Sequence, residues 1–211
     1  MKFKKQTLFS LAIAASVLAS CSSKQTENTE SNAALDNIMT RTSIRAYTAD
    51  SISKENIETM LRAAMAAPSA GNKQPWRFVV VENRATLDSI GANFGSMKMA
   101  SQAPLGIVVC GDLEATFPEE GRDYWIEDTS AAMENLLLAA HSIGLGAVWC
   151  GIYPMTDRVQ AFSEMLSLPE NIIPMGVAII GHPQSAQEPK DKWNPEYVHY
   201  ESWKKSGAKG F

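Results

Sequence analysis

The chain has 211 residues, 45% of them apolar, and carries 19 Lys plus Arg against 23 Asp plus Glu for a formal net charge of −4. That length and apolar content suit one domain, or at most two small ones, with a sizeable core and exclude a largely disordered chain. No run of four basic residues occurs, which argues against sequence-independent nucleic-acid binding; three cysteines and three histidines with no C-x-x-C pair and no two His at i, i+4 give a structural zinc site or a disulfide-stapled scaffold no footing.

Lys2, Lys4 and Lys5 precede an apolar stretch from Leu8 to Leu18 that is too short to span a bilayer. It ends in Leu18-Ala19-Ser20-Cys21, which resembles the bacterial lipobox, so residues 1–20 are expected to be a lipoprotein signal peptide and Cys21 the site of lipid attachment. With Ser22 rather than Asp after the cysteine, the expected destination in a Gram-negative host is the outer membrane, facing the periplasm. Removing residues 1–20 deletes three Lys and no acid, leaving 16 − 23 = −7. Residues 21–34, rich in Ser, Asn, Thr and Glu, read as a flexible tether, and residues 35–211 as the folded domain.

Ser53 is placed to cap a helix running to about Ala66, because Ile57, Met60, Leu61, Ala64 and Met65 recur at helical spacing and Pro68 stops it. Arg77 to Glu82 (R-F-V-V-V-E) predicts a buried strand, and a short helix follows near Ala85 to Ile90. Leu105 to Cys110 predicts a second strand. The stretch from about Asp123 to Ile143 predicts a central helix, since Ala131, Ala132, Leu136, Leu137, Ala139 and Ala140 leave few polar faces, with Gly144 as its C-terminal cap. A strand at Ala147 to Cys150, a helix from about Asp157 to Leu166 capped by Thr156, and a strand at Pro174 to Ile180 complete the map. Gly181 to Phe211 shows no clear period. Without a strict βαβ rhythm or a repeat, the economical architecture is a three-layer α+β domain. Cys110 and Cys150 fall inside apolar strands and read as buried thiols, with a disulfide as the alternative.

Two segments carry chemistry. Arg41-Thr42-Ser43-Ile44-Arg45 puts two guanidinium groups and a hydroxyl at i, i+2 and i+4; in an extended segment these share one face, with Thr42 and Ile44 on the other, forming an anion clamp. The alternative is a solvated basic face paired with nearby acids. Pro68-Ser69-Ala70-Gly71-Asn72-Lys73-Gln74-Pro75-Trp76 is a loop whose amides and hydroxyls can hydrogen-bond the edge of a heterocycle, or else a plain connection. Gly144-Leu145-Gly146 is no dinucleotide fingerprint, because it follows a helix and precedes a strand. His141, on the apolar helix, reads as a core or interface histidine.

These two segments, together with Ala132-Met133-Glu134-Asn135-Leu136-Leu137-Leu138-Ala139-Ala140 leading to Gly144-Leu145-Gly146-Ala147-Val148-Trp149-Cys150-Gly151, resemble the nitroreductase family of FMN-dependent oxidoreductases, over a span from about Leu35 to about Lys192. The resemblance implies a three-layer fold with a mixed central sheet flanked by helices, and a homodimer with FMN at the subunit interface. On the same resemblance Arg41 and Ser43 hold the FMN phosphate, which suits a bidentate guanidinium, and Thr42 adds a backbone contact. Arg45 sits by the pyrimidine edge, where its charge favours the reduced, negatively charged flavin and tunes its potential. Pro68, Ser69, Asn72 and Gln74 approach the flavin from the partner subunit, and backbone around Cys150 and Gly151 meets its N5 region. Lys98 gives a second basic contact, and Lys190 and Lys192 close the phosphate site as point charges rather than forks.

No side-chain acid or base is assigned to catalysis, because the flavin carries the chemistry. The implied activity moves electrons from NAD(P)H or another donor to a small electron-poor acceptor, a nitroaromatic or a quinone. The export signal motivates an alternative, a membrane-tethered flavin-binding protein without nicotinamide-driven turnover, since reduced nicotinamides are expected to be scarce outside the cytoplasm. Dehalogenation or ring fragmentation has no lid insertion to support it. The expected partners are a second copy of the chain, small-molecule donor and acceptor, and a membrane through the lipid on Cys21 only; nucleic acid and metal are not expected.

Overall fold

The computed structural model describes residues 32–203. The expected signal peptide, Cys21 and the tether up to Ser31 lie outside the described residues. Helix α1 (Ala33–Thr40) is capped by Asn32, whose side chain accepts hydrogen bonds from the Ala34 and Leu35 N–H groups at 3.1 and 3.3 Å. It begins two residues before the boundary read from composition, because an Asn in a polar stretch serves equally well as tether and as helix cap.

Helix α2 (Lys54–Met65) has Ser53 as its cap, with Ser53 Oγ accepting from the Asn56 N–H at 3.2 Å, and buries Ile57, Met60 and Ala64. Strand β1 (Trp76–Val81), helix α3 (Arg84–Asn93), strand β2 (Leu105–Asp112), helix α4 (Tyr124–Ser142), strand β3 (Gly146–Gly151), helix α5 (Thr156–Leu166) and strand β4 (Ile172–Gly181) follow. Gly144 takes φ +78° just past α4, the left-handed geometry that ends a helix without Cβ strain. Thr156 is the first residue of α5 rather than its cap; Met155 holds the cap position without a side-chain bond, and Thr156 Oγ1 turns to Asp157 Oδ1 at 3.3 Å.

The sheet order is β1-β2-β4-β3 and all three ladders are antiparallel. The mixed character expected of the sheet is confined to a single parallel bridge between Ser43 and Ala147, because the extended segment that supplies it pairs at one residue only. Every residue of β2 is buried. Its alternate side chains serve the two faces: Ile107 and Val109 join Met60, Met133 and Leu136 of α2 and α4, while Val108 and Cys110 join Leu87, Ile90 and Phe162 of α3 and α5. A sheet covered on both faces explains why its inner strands read as unbroken apolar runs.

Register slips between Val109 and Cys110 of β2, which pair with Gly176 and Pro174 of β4, leaving Met175 as the extra residue. Pro174 has no N–H to give a ladder, and a bulge is where a strand tolerates it. Cys110 and Cys150 are free and buried. Burial pushes the Cys110 thiol up to about 12; it raises Cys150 as well, against the opposing pull of Arg45 and Arg158.

Candidate functional site

The stretch from Arg41 to Tyr47 runs along the outer side of β3. The Ile44 N–H donates to the Ala147 carbonyl at 3.0 Å, and the Thr48 N–H to the His182 carbonyl at 2.9 Å. The buried Tyr47 hydroxyl reaches the carbonyls of Ile44 and Ile179, which burial favours by keeping its proton, raising the phenol above its ordinary range. Ile44 packs so closely on β3 that a Cβ at Gly146 would lie 2.7 Å from the Ile44 Cβ, so only glycine permits the approach. With Ile44 turned inward and buried, its neighbours are turned out.

What they face is a cleft of about 700 Å³, within the usual span of small-molecule sites, roughly 300–1,000 Å³. Arg41, Thr42, Ser43 and Arg45 line it from one side, Lys190 and Lys192 from another. Thr42 therefore shares the cleft instead of facing away; only Ile44 obeys the strict two-face alternation. Glu134 of α4, Glu188 and Asp191 also line it, so four cations meet three acidic side chains. Arg41 Nε pairs with Glu134 Oε1 at 3.2 Å, and the Arg41 side chain is only 17% exposed. Arg45 is exposed and has no acidic partner within 4.0 Å among the described residues. His141 places Nε2 2.9 Å from Thr40 Oγ1; burial first, then the charge of Arg41, lowers its pKa.

The amide loop lies elsewhere in the single chain. Gln74 lines a separate groove with Leu61, Met65, Trp76 and Phe78, and none of Pro68, Ser69, Asn72 and Gln74 lines the cationic cleft. Within the loop, Ser69 Oγ accepts from the Gln74 N–H at 3.0 Å, and Gln74 Nε2 donates to Asn72 Oδ1 at 2.8 Å. The pairing leaves Asn72 Nδ2 free to donate and Gln74 Oε1 free to accept, a donor and an acceptor side by side.

Lys98 is exposed on the 3₁₀ stretch Gly95–Ser101, and Cys150 and Gly151 end β3; none of the three lines the cleft. The end of β3 is nonetheless firmly held. The Met175 carbonyl at the bulge accepts the Ile152 and Tyr153 N–H groups, both at 3.1 Å, and Arg158 Nη1 donates to the Gly151 carbonyl at 2.8 Å. Glu134 and Arg158 were not legible as site residues. The one signal for Glu134 was an acid in the largely apolar second half of α4, and Arg158 gave none. Among the described residues no group of three or more His, Cys, Asp or Glu is placed to hold a metal ion.

A four-stranded antiparallel sheet between two helical layers makes a small α+β domain, and the cleft beside its β3 edge gathers four cations and three acids. The model of the nitroreductase family matches residues 38–97 and 91–182, and the chain belongs to that family. A protein of Archaeoglobus fulgidus, provisionally named NADH dehydrogenase/NAD(P)H nitroreductase, is 45% identical over 170 residues, 79% of this chain and 96% of its own length. A crystal structure from Bacteroides thetaiotaomicron with the same provisional name is similar at 46% identity and a TM-score of 0.77, over 82% of this chain and 99% of that one. An FMN-dependent nitroreductase from Clostridium difficile is similar at 27% identity and a TM-score of 0.73, over 80% of this chain and 99% of that one.

Proposed function

We propose that the protein is an FMN-dependent oxidoreductase that passes electrons from NAD(P)H, or another small donor, to a small electron-poor acceptor such as a nitroaromatic or a quinone. The observation that carries this reading is the convergence of Arg41, Thr42, Ser43, Arg45, Lys190 and Lys192 on one cleft in a nitroreductase-family chain. The residues present fit the cofactor: hydroxyls and guanidinium groups suit a phosphate, and the paired amides of Asn72 and Gln74 offer the donor and acceptor that an imide edge requires. The names of the relatives, NAD(P)H nitroreductase and FMN-dependent nitroreductase, support the same donor and cofactor here.

Bound FMN would supply the two-electron chemistry, accepting a hydride from the donor and passing reducing equivalents on. The chain's residues bind and tune. Arg41 and Ser43 hold the phosphate, with the two lysines closing that wall, and Arg45 lends positive charge beside the ring. Backbone around Cys150 and Gly151, with the Gly151 carbonyl held by Arg158, would meet the ring near its N5. Because the amide loop and the cleft are apart in one chain, the complete site is assembled by a homodimer. Leu35, Ile38 and Met39 of α1, each more than half exposed, offer that dimer apolar surface. Export and lipid attachment at Cys21 belong to the same proposal; among the described residues no helix is long and apolar enough to cross a membrane.

The test is to mix the purified flavin-loaded protein with NADH and then NADPH under argon. Loss of the flavin absorbance, and its return on adding a nitroaromatic or quinone, is the expected result. A flavin that stays oxidised with both nicotinamides favours the tethered binding protein instead.

A further inference from the structure

We propose that Asp128 is a positioning residue: its buried carboxyl holds the loop bearing Asn72 and Gln74 in the conformation that presents their amides to the pyrimidine edge of FMN. This rests on the FMN reading above. Asp128 lies in the first half of α4 and is 4% exposed. Its Oδ1 accepts a hydrogen bond from the Ala70 N–H at 2.8 Å, across 58 residues of sequence. Its Oδ2 is also buried and meets no donor among the described residues. Stability alone accounts poorly for such a group, since a well-packed apolar side chain would fill the space without desolvating a carboxyl. What the carboxyl adds is control over the loop.

The loop needs that control. Gly71, Asn72 and Gln74 take φ values of +53°, +54° and +50°, and two of the three are side chains that pay a steric penalty there. Such a conformation persists only where its surroundings hold it. Asp128 grips the first residue of the 3₁₀ turn Ala70–Asn72 from beneath. Phe117 presses on it from outside, so near that a Cβ on Gly71 would lie 2.6 Å from Phe117 Cζ, and Lys73 Nζ sits 5.0 Å over the same ring. Held this way, the Gln74 to Asn72 bond leaves one donor and one acceptor facing outward. Released, the loop is free to leave the left-handed region, and the two amides lose their common direction.

The experiment compares Asp128→Ala, Asp128→Asn, Ala70→Pro and the double variant Ala70→Pro with Asp128→Ala. Proline at 70 deletes the N–H and leaves Asp128 intact; the extended Ser69 before it, at φ −141° and ψ 153°, suits a residue preceding proline. Each variant is titrated with FMN, and its midpoint potential is measured at saturating FMN. Asp128→Ala and Ala70→Pro should each weaken FMN binding at least about tenfold, the scale of one lost buried hydrogen bond. Both should lower the potential, a change that a loss of stability alone would not produce. The double variant should be no worse than either single one, because both delete the same bond. Asp128→Asn, whose amide oxygen still accepts from Ala70, should stay within about threefold of the parent. Parental affinity and potential in Ala70→Pro, an additive double variant, or Asp128→Asn as impaired as Asp128→Ala would each overturn the proposal. If Asp128→Ala does not fold, the other two single variants decide. Failure of the FMN reading has a different signature: the unaltered chain itself does not bind FMN.

Discussion

Arg41 and Arg45 carry the same side chain four positions apart in one extended segment, and the structure gives them different surroundings. Arg41 is largely buried and already paired with Glu134 at 3.2 Å, so it is held ready at the cleft wall. Losing one charge-assisted contact to phosphate costs about 1.5–3 kcal/mol, or roughly 10- to 150-fold in FMN dissociation constant. Arg41→Ala should fall in the upper part of that range, because it also leaves Glu134 facing the phosphate with its partner gone. Adding Glu134→Gln to Arg41→Ala should therefore restore part of the affinity. Arg45 is exposed and unpaired among the described residues, so its charge is screened by solvent, and oxidised FMN should stay bound in Arg45→Ala. Its removal should instead lower the midpoint potential, since positive charge near the ring favours the reduced, negatively charged flavin over the neutral oxidised one. FMN titration by fluorescence quenching and potentiometry with a reference dye check both. Equal affinity losses in the two variants, with no change of potential in either, would refute the separate roles and the placement of the ring.

Two further expectations follow from local geometry and a third from the sequence before residue 22. Gly146→Val should drive Ile44 off β3, weakening FMN binding and destabilising the fold by about 1–3 kcal/mol, as overpacking does; thermal unfolding with and without FMN measures both. The pKa of His141 lies below its ordinary value, so the unfolded chain takes up its proton first as pH falls. Its share of stability is complete above about pH 6.5 and is lost as pH drops from there through the folded value, and His141→Gln should flatten the urea-midpoint profile in that window. Mass spectrometry of a membrane fraction should find a diacylated or triacylated Cys21 at the mature N-terminus, while a chain retaining Met1 would contradict export.

Local patterns revealed most of the secondary structure because the forces behind it are local. The cap at Ser53, the unbroken run of β2 and the glycine after α4 each leave a trace within a few residues. Helix α1 escaped because it is only eight residues long and its one marker, the Asn32 cap, sits at the end of the polar stretch that reads as a tether. Thr156 was misplaced by one residue because a hydroxyl near a helix start reads the same at the cap and at the first turn. Half of the site was visible in the alternation of Arg41 to Arg45. The Glu134 partner of Arg41 is 93 positions away by subtraction of their numbers, and the Asp128 bond to Ala70 spans 58. No short-range period records such pairings. The amide loop was recognised by composition, whereas its three left-handed residues and the two groups that hold them arise only from tertiary packing.

Whether the cleft between Arg41 and Lys192 holds the phosphate of FMN is decided by comparing FMN with riboflavin, which lacks only that phosphate. Titrated into the flavin-free protein by calorimetry, FMN should bind at one per chain, and riboflavin at least about tenfold more weakly, the least that one lost charge-assisted contact would give. Equal affinities for the two flavins, or no binding of either, would show that the cleft is not an FMN phosphate site.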